Sequence, residues 1–310
     1  MIVGHAWPLS GFKGAPTFAG IPIHTLGVYV FFVISGYLLE KSWRNSPKPK
    51  AFLIRRMLRI FPALFAVVLL TVFVIGPLVT TTTNESYWGA DRVWSYLSNL
   101  VLWGQFDLPG VFVGNPTTPV NGSLWSLGPE FCCYLMLVVL GLVGVRFSVI
   151  SRLLLAVSIA AVTLLAPVQG PTRILLFAVA FFILGSLIAD LPRREQLPVW
   201  PGIASLVLLG FTSSDIGLIG ALVVLPYAVV VIGSIPSPIA GLLHRFGDPS
   251  YGMYLWGFPV QQLLTHFVGV QPVWVSAAVV LTTTVIIGLG SWHLIEKLAI
   301  NLGNKLSAKN

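Results

Sequence analysis

Charge is scarce in this chain. Only 9% of its 310 residues are Asp, Glu, Lys or Arg, and the ten acidic residues are outnumbered by eighteen basic ones. A water-soluble globule of this length carries nearer a quarter charged residues, so a soluble fold is excluded. Cysteine is almost missing as well. The two that occur, Cys132 and Cys133, are neighbours; a bridge between them is strained, so they read as two buried small hydrophobes rather than a disulfide. No HExxH, CxxC, Walker loop or GxSxG is present, which removes the zinc-protease, dithiol, P-loop and serine-hydrolase chemistries. Low-complexity tracts and obvious internal repeats are missing too.

What fills the chain is apolar. Hydrophobic residues make up 56% and mean hydropathy is +0.88. Runs of about 17 or more apolar residues, enough to cross a hydrocarbon layer of about 30 Å, recur from end to end. Spans are expected near 24–39, 60–79, 123–145, 148–167, 173–190, 199–213, 215–235, 251–269 and 272–294. The opening MIVGHAWPLSGF is apolar but too short to cross, and it lacks the basic region and cleavage site of a signal peptide. It reads as the last turns of a tenth helix whose beginning is missing. The fold class is therefore all-α, a polytopic membrane bundle of about ten helices.

Lys and Arg sort this bundle across the membrane. With the opening remnant ending outside, one set of connections holds Lys41, Arg44, Lys48, Lys50, Arg55, Arg56, Arg59, Arg146, Arg152, Arg193, Arg194, Arg245, Lys297, Lys305 and Lys309, and the other only Lys13, Arg92 and Arg173. Fifteen against three places the first set, and the C-terminus, in the cytoplasm of a cell-membrane protein. The net charge of +8 is then mainly topological, and nucleic acid is an unnecessary partner. Residues 1–296 form one membrane domain and 297–310 a short cytoplasmic tail. The longest connection, about 80–122, lies outside; its WSYLSNLVLW stretch suits an interfacial or re-entrant helix, and its length suits a cover over an acceptor site.

Three arginines, Arg55, Arg56 and Arg59, share a helix face before Pro62. Guanidiniums so placed can grip phosphates bidentately, although a plain cytoplasmic anchor uses the same charges. Glu130 sits inside a span, where a carboxylate costs about 2.5–3.5 kcal/mol on insertion scales and marks a cavity, partner or pathway. It lies roughly 10 Å from the outer end at 1.5 Å per residue. A bond to His5 and a structural pairing with Arg or Tyr are equally open to it. Ser35 beside Gly36 is read as close helix packing rather than a nucleophile. Asp248, His24 and His244 fall at span borders and need only solvent, and His293 with Glu296 reads as a helix end. His266 is a second, weaker base candidate.

In order along the chain, FFVISGYLL, RRMLRIFP, SLWSLGPEFCCYL, DPSYGMYLWGFPV and SWHLIEK resemble the acyltransferase family 3 of membrane proteins, from about His5 to Lys297. The resemblance implies an enzyme that O-acylates extracytoplasmic carbohydrates, with acyl-CoA as donor, most simply acetyl-CoA, and no metal. It implies that His5 is catalytic and that Arg55, Arg56 and Arg59 hold the donor phosphates; beside it, the depth of Glu130 in its span makes that residue a catalytic candidate as the carboxylate that orients His5. It gives Trp125, Tyr254 and Trp256 as acceptor-side contacts, although a belt Trp and ordinary packing also account for them. Two departures stand out. The family arginine about ten residues before the histidine would precede Met1, and Gly257 stands where the family commonly has histidine. Two other readings stay open: a glycan or lipid flippase, and an inactive relative. Membrane lipid and a carbohydrate or glycolipid acceptor are the expected partners; oligomeric state is open.

Overall fold

The computed structural model describes residues 1–143, 148–191, 197–237 and 245–308. Arg146, Arg193, Arg194, His244 and Lys309, used above, lie outside them. Among the described residues the architecture is helical apart from one two-stranded hairpin, Thr17–Phe18 with Ile21–Pro22. Six helices among the described residues are long and apolar enough to cross a membrane: Ile23–Asn45, Pro49–Val79, Gly122–Leu142, Gly170–Ile188, Asp215–Gly233 and Val273–Ala308. The count of about ten is not reached. Val149–Leu165 and Val199–Gly210 are apolar but shorter, and Ser250–Val268, though 19 residues long, carries Gln261, Gln262 and His266.

The long helices also overrun their expected bounds. The second begins at Pro49 rather than near 60, because the basic stretch is itself helical and the Pro62 ring is absorbed inside the helix. The last runs through residue 308, so the expected tail is a helix with Gly303 and Ser307 buried. Conversely, WSYLSNLVLW makes no long helix. It breaks into Asp91–Ser95 and a 3-10 turn, Tyr96–Val101, since Asn99 donates to the carbonyls of Tyr96 and Gln105, both at 2.8 Å, and Leu102 closes the turn at φ +63°.

The chain divides into two compact units. We number the helices used below α1 (Ile2–Leu9), α2 (Ile23–Asn45), α3 (Pro49–Val79), α4 (Asn84–Gly89), α5 (Asp91–Ser95), α6 (Leu127–Leu142), α7 (Val149–Leu165), α8 (Gly170–Ile188), α9 (Val199–Gly210), α10 (Ser214–Gly233), α11 (Ser250–Val268) and α12 (Val273–Ala308).

The first unit holds Met1, residues 16–52 and residues 129–237. In a membrane no hydrophobic drive pushes one helix onto another, so close backbone approach at small residues does the work. A Cβ on Gly36 would lie 2.0 Å from the Phe182 carbonyl oxygen, and one on Gly185 would lie 2.3 Å from that of Val33. α2 and α8 therefore touch backbone to backbone. Tyr29 stacks on Phe181 along the same seam, with ring centroids 4.7 Å apart. This unit also encloses a cavity of about 550 Å³ among Trp43, Met136, Leu140, Leu155 and Phe182. At one end Arg152 pairs with Asp190 and Glu40, and Arg44 with the same two carboxylates.

The second unit holds residues 2–15, 53–128 and 238–310. Here α1 packs on α11 and α12. α11 and α12 meet at glycine: a Cβ on Gly252 would lie 2.7 Å from the Gly288 Cα. Two π-helical turns interrupt the long helices, Thr71–Ile75 and Trp292–Glu296. The first has a readable cause. In an i to i+5 turn the Val72 carbonyl looks toward residue 77, which is proline and has no N–H. The Tyr87 hydroxyl supplies the missing donor at 2.8 Å, and Gly76 leaves room for it, since a Cβ there would meet that hydroxyl at 1.8 Å.

Candidate active site

His5 lies midway along the short helix α1 and is half-buried. Its imidazole meets Phe258 of α11 edge to face, with ring centroids 5.9 Å apart. The next turn of α1 is fixed similarly, Trp7 against Trp274 at 5.0 Å. The Gly257 position, where a histidine was expected, is occupied from the side by Ile2: a Cβ there would come within 3.0 Å of the Ile2 side chain. A larger residue at 257 would therefore press on α1 itself.

Phe258 has a second neighbour. Gly122 opens the 3-10 turn Gly122–Ser126, and a Cβ there would lie 2.9 Å from the Phe258 ring. This turn, which carries Trp125, is stitched to α11 by side chains. Asn121 donates to the Leu255 carbonyl at 2.9 Å, and the Ser123 hydroxyl donates to Asn121 Oδ1 at 2.6 Å. The Tyr254 hydroxyl donates to the Ser123 carbonyl and lies 3.0 Å from the Ser126 hydroxyl. Further along α11, Gln262 donates to the carbonyls of Thr117 and Pro119 at 2.8 and 2.6 Å and accepts from Asn115. One face of α11 thus holds the end of the 80–122 connection in place.

His5, Trp125 and Tyr254 consequently belong to one assembly whose common element is α11. Trp256 lies on α11 too, half-buried. Tyr254 is engaged with the backbone of the turn rather than presented freely. Asn121, Ser123, Phe258 and Gln262 were not singled out from the sequence. The signal for Asn121 was Pro259: by lacking an N–H, it leaves the Leu255 carbonyl four residues earlier in need of a donor.

The basic face of α3 resolves into unlike parts. Arg59 donates to Asp248 Oδ2 at 2.8 Å, and its Nη1 lies 3.6 Å from Glu296 Oε2. Its guanidinium also lies over the Tyr251 and Trp292 rings, 5.9 and 5.8 Å from their centroids. Glu296 is only 1% exposed and accepts from Ser291 at 2.8 Å. Asp248 was assigned nothing beyond solvation; that expectation is corrected, because it is the main ion-pair partner of Arg59. Burial pushes the Asp248 carboxyl up, but hydrogen bonds from Ser250 and the charge of Arg59 outweigh it, and the group lies below the usual carboxylate range. Arg55 and Arg56 are half-buried on the same helix, and Arg55 has no ion-pair partner among the described residues. His293 contacts the Phe246 carbonyl at 2.9 Å. His266, the second base candidate, is exposed at the far end of α11 against Phe112.

Glu130 belongs to the first unit and is 4% exposed. Ser35 donates to its Oε1 at 3.2 Å and Tyr134, one turn along α6, donates to the same oxygen. The tyrosine pairing is thus one of the alternatives read for Glu130, and Ser35 acts as a donor at the packed α2 seam. Cys133 is buried, but Cys132 is exposed, which corrects the expectation of two buried thiols: consecutive helical residues point about 100° apart, and here the buried face takes in Cys133 and Tyr134 and leaves Cys132 outside it.

Residues 1–292 match the family of acyltransferase domains. The chain is 30% identical to an O-acetyl transferase of Shigella phage Sf6, over 96% of this chain and 91% of that protein. It is 27% identical to nodulation protein 10 of Rhizobium leguminosarum bv. viciae, over 91% and 84% of the two chains. It is also 28% identical to the peptidoglycan O-acetyltransferase OatA of Listeria monocytogenes, over 87% of this chain and 50% of that longer protein. No solved structure matches it. A match along nearly the whole chain, on a helical scaffold with membrane-crossing segments, makes this chain a member of the acyltransferase family and an O-acetyltransferase of the membrane.

Proposed function

We propose that the protein takes an acetyl group from acetyl-CoA on the cytoplasmic side of the cell membrane and delivers it to a hydroxyl of an extracytoplasmic carbohydrate or glycolipid. The reading adopts ten crossings, one membrane domain over residues 1–296 and a cytoplasmic C-terminus, and the distribution of Lys and Arg supports it. Among the relatives, one is named for acetylating peptidoglycan, which favours a glycan acceptor.

The observation that carries the site is the packing of His5 on Phe258, whose ring also borders the turn carrying Trp125. In this reading the neutral imidazole takes the proton of the acceptor hydroxyl as its oxygen attacks the thioester carbonyl. The carbon–sulfur bond then breaks, and the imidazolium returns the proton to the departing thiolate, leaving an O-acetyl ester and free coenzyme A. Phe258 holds the ring at its edge, and its apolar surface excludes water from the basic nitrogen. Trp125 and Tyr254 line the acceptor side, with Tyr254 fixing the turn. Arg55 and Arg56 meet the donor phosphates. Glu130 serves as a buried acceptor of the Ser35 and Tyr134 hydroxyls.

The deciding experiment is transfer of labelled acetyl from acetyl-CoA by membranes carrying the full chain. His5→Ala is expected to abolish it while leaving the amount of folded protein unchanged. Undiminished transfer in that variant removes His5 from the mechanism, and export or flipping without any need for thioester replaces the enzyme reading with transport.

A further inference from the structure

Arg59 on α3 is already committed. Its guanidinium is held by two carboxylates and two aromatic rings, so an arriving anion would have to displace a formed ion pair. Beside it, however, lies a pocket of about 250 Å³ lined by Arg245, Gly247, Asp248, Trp292, His293 and Lys297. Arg245 and Lys297 are exposed, and neither has an ion-pair partner among the described residues. The one carboxylate in the wall is already occupied: Asp248 Oδ2 accepts from Arg59, and Oδ1 accepts the Ser250 hydroxyl at 2.5 Å and the Ser250 amide at 3.1 Å.

The pocket wall is also set by backbone. Gly247 has φ +112°, a conformation few side-chain-bearing residues adopt, and a Cβ there would lie 2.2 Å from the Trp292 indole. Trp292 begins the π-helical turn that ends at Glu296, the second carboxylate on Arg59. Arg59, Asp248 and Glu296 therefore form an ion-paired strut. Two unspent cations stand beside it.

We propose that this pocket is a phosphate-binding subsite. Arg245 and Lys297 are its ligands, through charge-assisted hydrogen bonds to phosphoryl oxygens, and Arg59 is a positioning residue that holds the wall. The phosphate belongs either to the nucleotide end of an acyl-CoA donor or to a lipid headgroup. The first source rests on the donor reading above; the subsite itself does not.

The test uses the full chain in nanodiscs and the paired variant Arg245→Gln/Lys297→Gln, whose sites are exposed and tolerate the change. One arm measures binding of coenzyme A in phosphatidylcholine discs. The other counts phosphatidylglycerol molecules retained by native mass spectrometry from mixed discs. A loss of about tenfold or more in coenzyme A affinity assigns the nucleotide source. Loss confined to phosphatidylglycerol assigns the lipid source. If the parent chain binds no coenzyme A but the variant sheds phosphatidylglycerol, the donor reading falls and the subsite stands. A variant indistinguishable from the parent in both arms overturns the proposal. Arg59→Gln separates the roles: as a strut it lowers the thermal midpoint of the protein, and a normal midpoint with lost binding would make it a ligand instead.

Discussion

Asn121 donates its side-chain amide to the backbone carbonyl of Leu255 at 2.9 Å. That carbonyl is the one Pro259 leaves without a helical donor. A break in one element is thus repaired by a residue lying 134 positions away in the sequence.

Asn121→Ala should therefore cost about 1–3 kcal/mol, the usual penalty for leaving a buried polar group unpaired. Combining it with Pro259→Ala, which restores an N–H to the helix, should shrink that cost. Thermal unfolding of the four proteins in a double-mutant cycle checks this. Equal costs in both backgrounds would show that the amide acts on something other than the proline gap.

Tyr87→Phe should destabilise the π-helical turn of α3 by about 1 kcal/mol, since the Val72 carbonyl then has no donor. Burial pushes the Tyr87 hydroxyl up to about 12, so it stays protonated and able to donate over the accessible pH range. Hydrogen exchange of amides in residues 71–76 reads the effect locally; protection equal to that of the parent would count against it.

At the α2–α8 seam the backbone approach leaves no room for a side chain. Gly36→Val should lower the yield of folded protein sharply, with a penalty of at least about 1–3 kcal/mol expected for overpacking even where neighbours can yield. Here the neighbour is the Phe182 carbonyl itself. Gly89→Ala, where nothing lies within 4 Å, is the control that should behave like the parent.

The Asp248 carboxyl lies below its usual range in the folded state. Its contribution to stability is therefore complete above the unfolded value of about 3.9 and is lost as pH falls through the folded value. Asp248→Asn should lower the thermal midpoint at neutral pH, and the gap from the parent should close as pH is taken below about 4. A gap that persists unchanged in acid would mean that the charge is not what Asp248 contributes.

How much of this was readable beforehand differs from element to element. Hydropathy found the apolar helices because lipid imposes length and composition directly. It set the start of the second span near 60, whereas the helix that carries Arg55, Arg56 and Arg59 begins at Pro49, since transfer scales register charge as an end although a helix can carry guanidiniums beyond the hydrocarbon edge. It likewise gave 251–269 as a simple span, whereas Gln261 and Gln262 of that stretch serve neighbours: Gln261 donates to Ser276 at 2.6 Å, and Gln262 anchors the 80–122 connection. Motif order marked His5 and Trp125 as candidates, and the structure sets His5 and the turn that carries Trp125 against the same Phe258 ring. The partnership of Arg59 with Asp248 and Glu296 was not legible, because it joins residues 189 positions apart, and no local periodicity carries such a pairing.

The polar stitching of the 80–122 connection to α11 has an engineering consequence. The last segment before α6 is pinned at Asn115, Thr117, Pro119 and Asn121, while Trp103 and Val113 upstream face outward. The pins define natural cassette boundaries. Exchanging the exposed positions between Val101 and Asn115 for those of another family member, while Leu108, Val111 and Phe112 stay as the buried residues of that stretch, should leave the histidine and the turn behind it in place. A panel of such chimaeras would ask whether acceptor choice travels with the cassette while the acyl-transfer machinery stays constant.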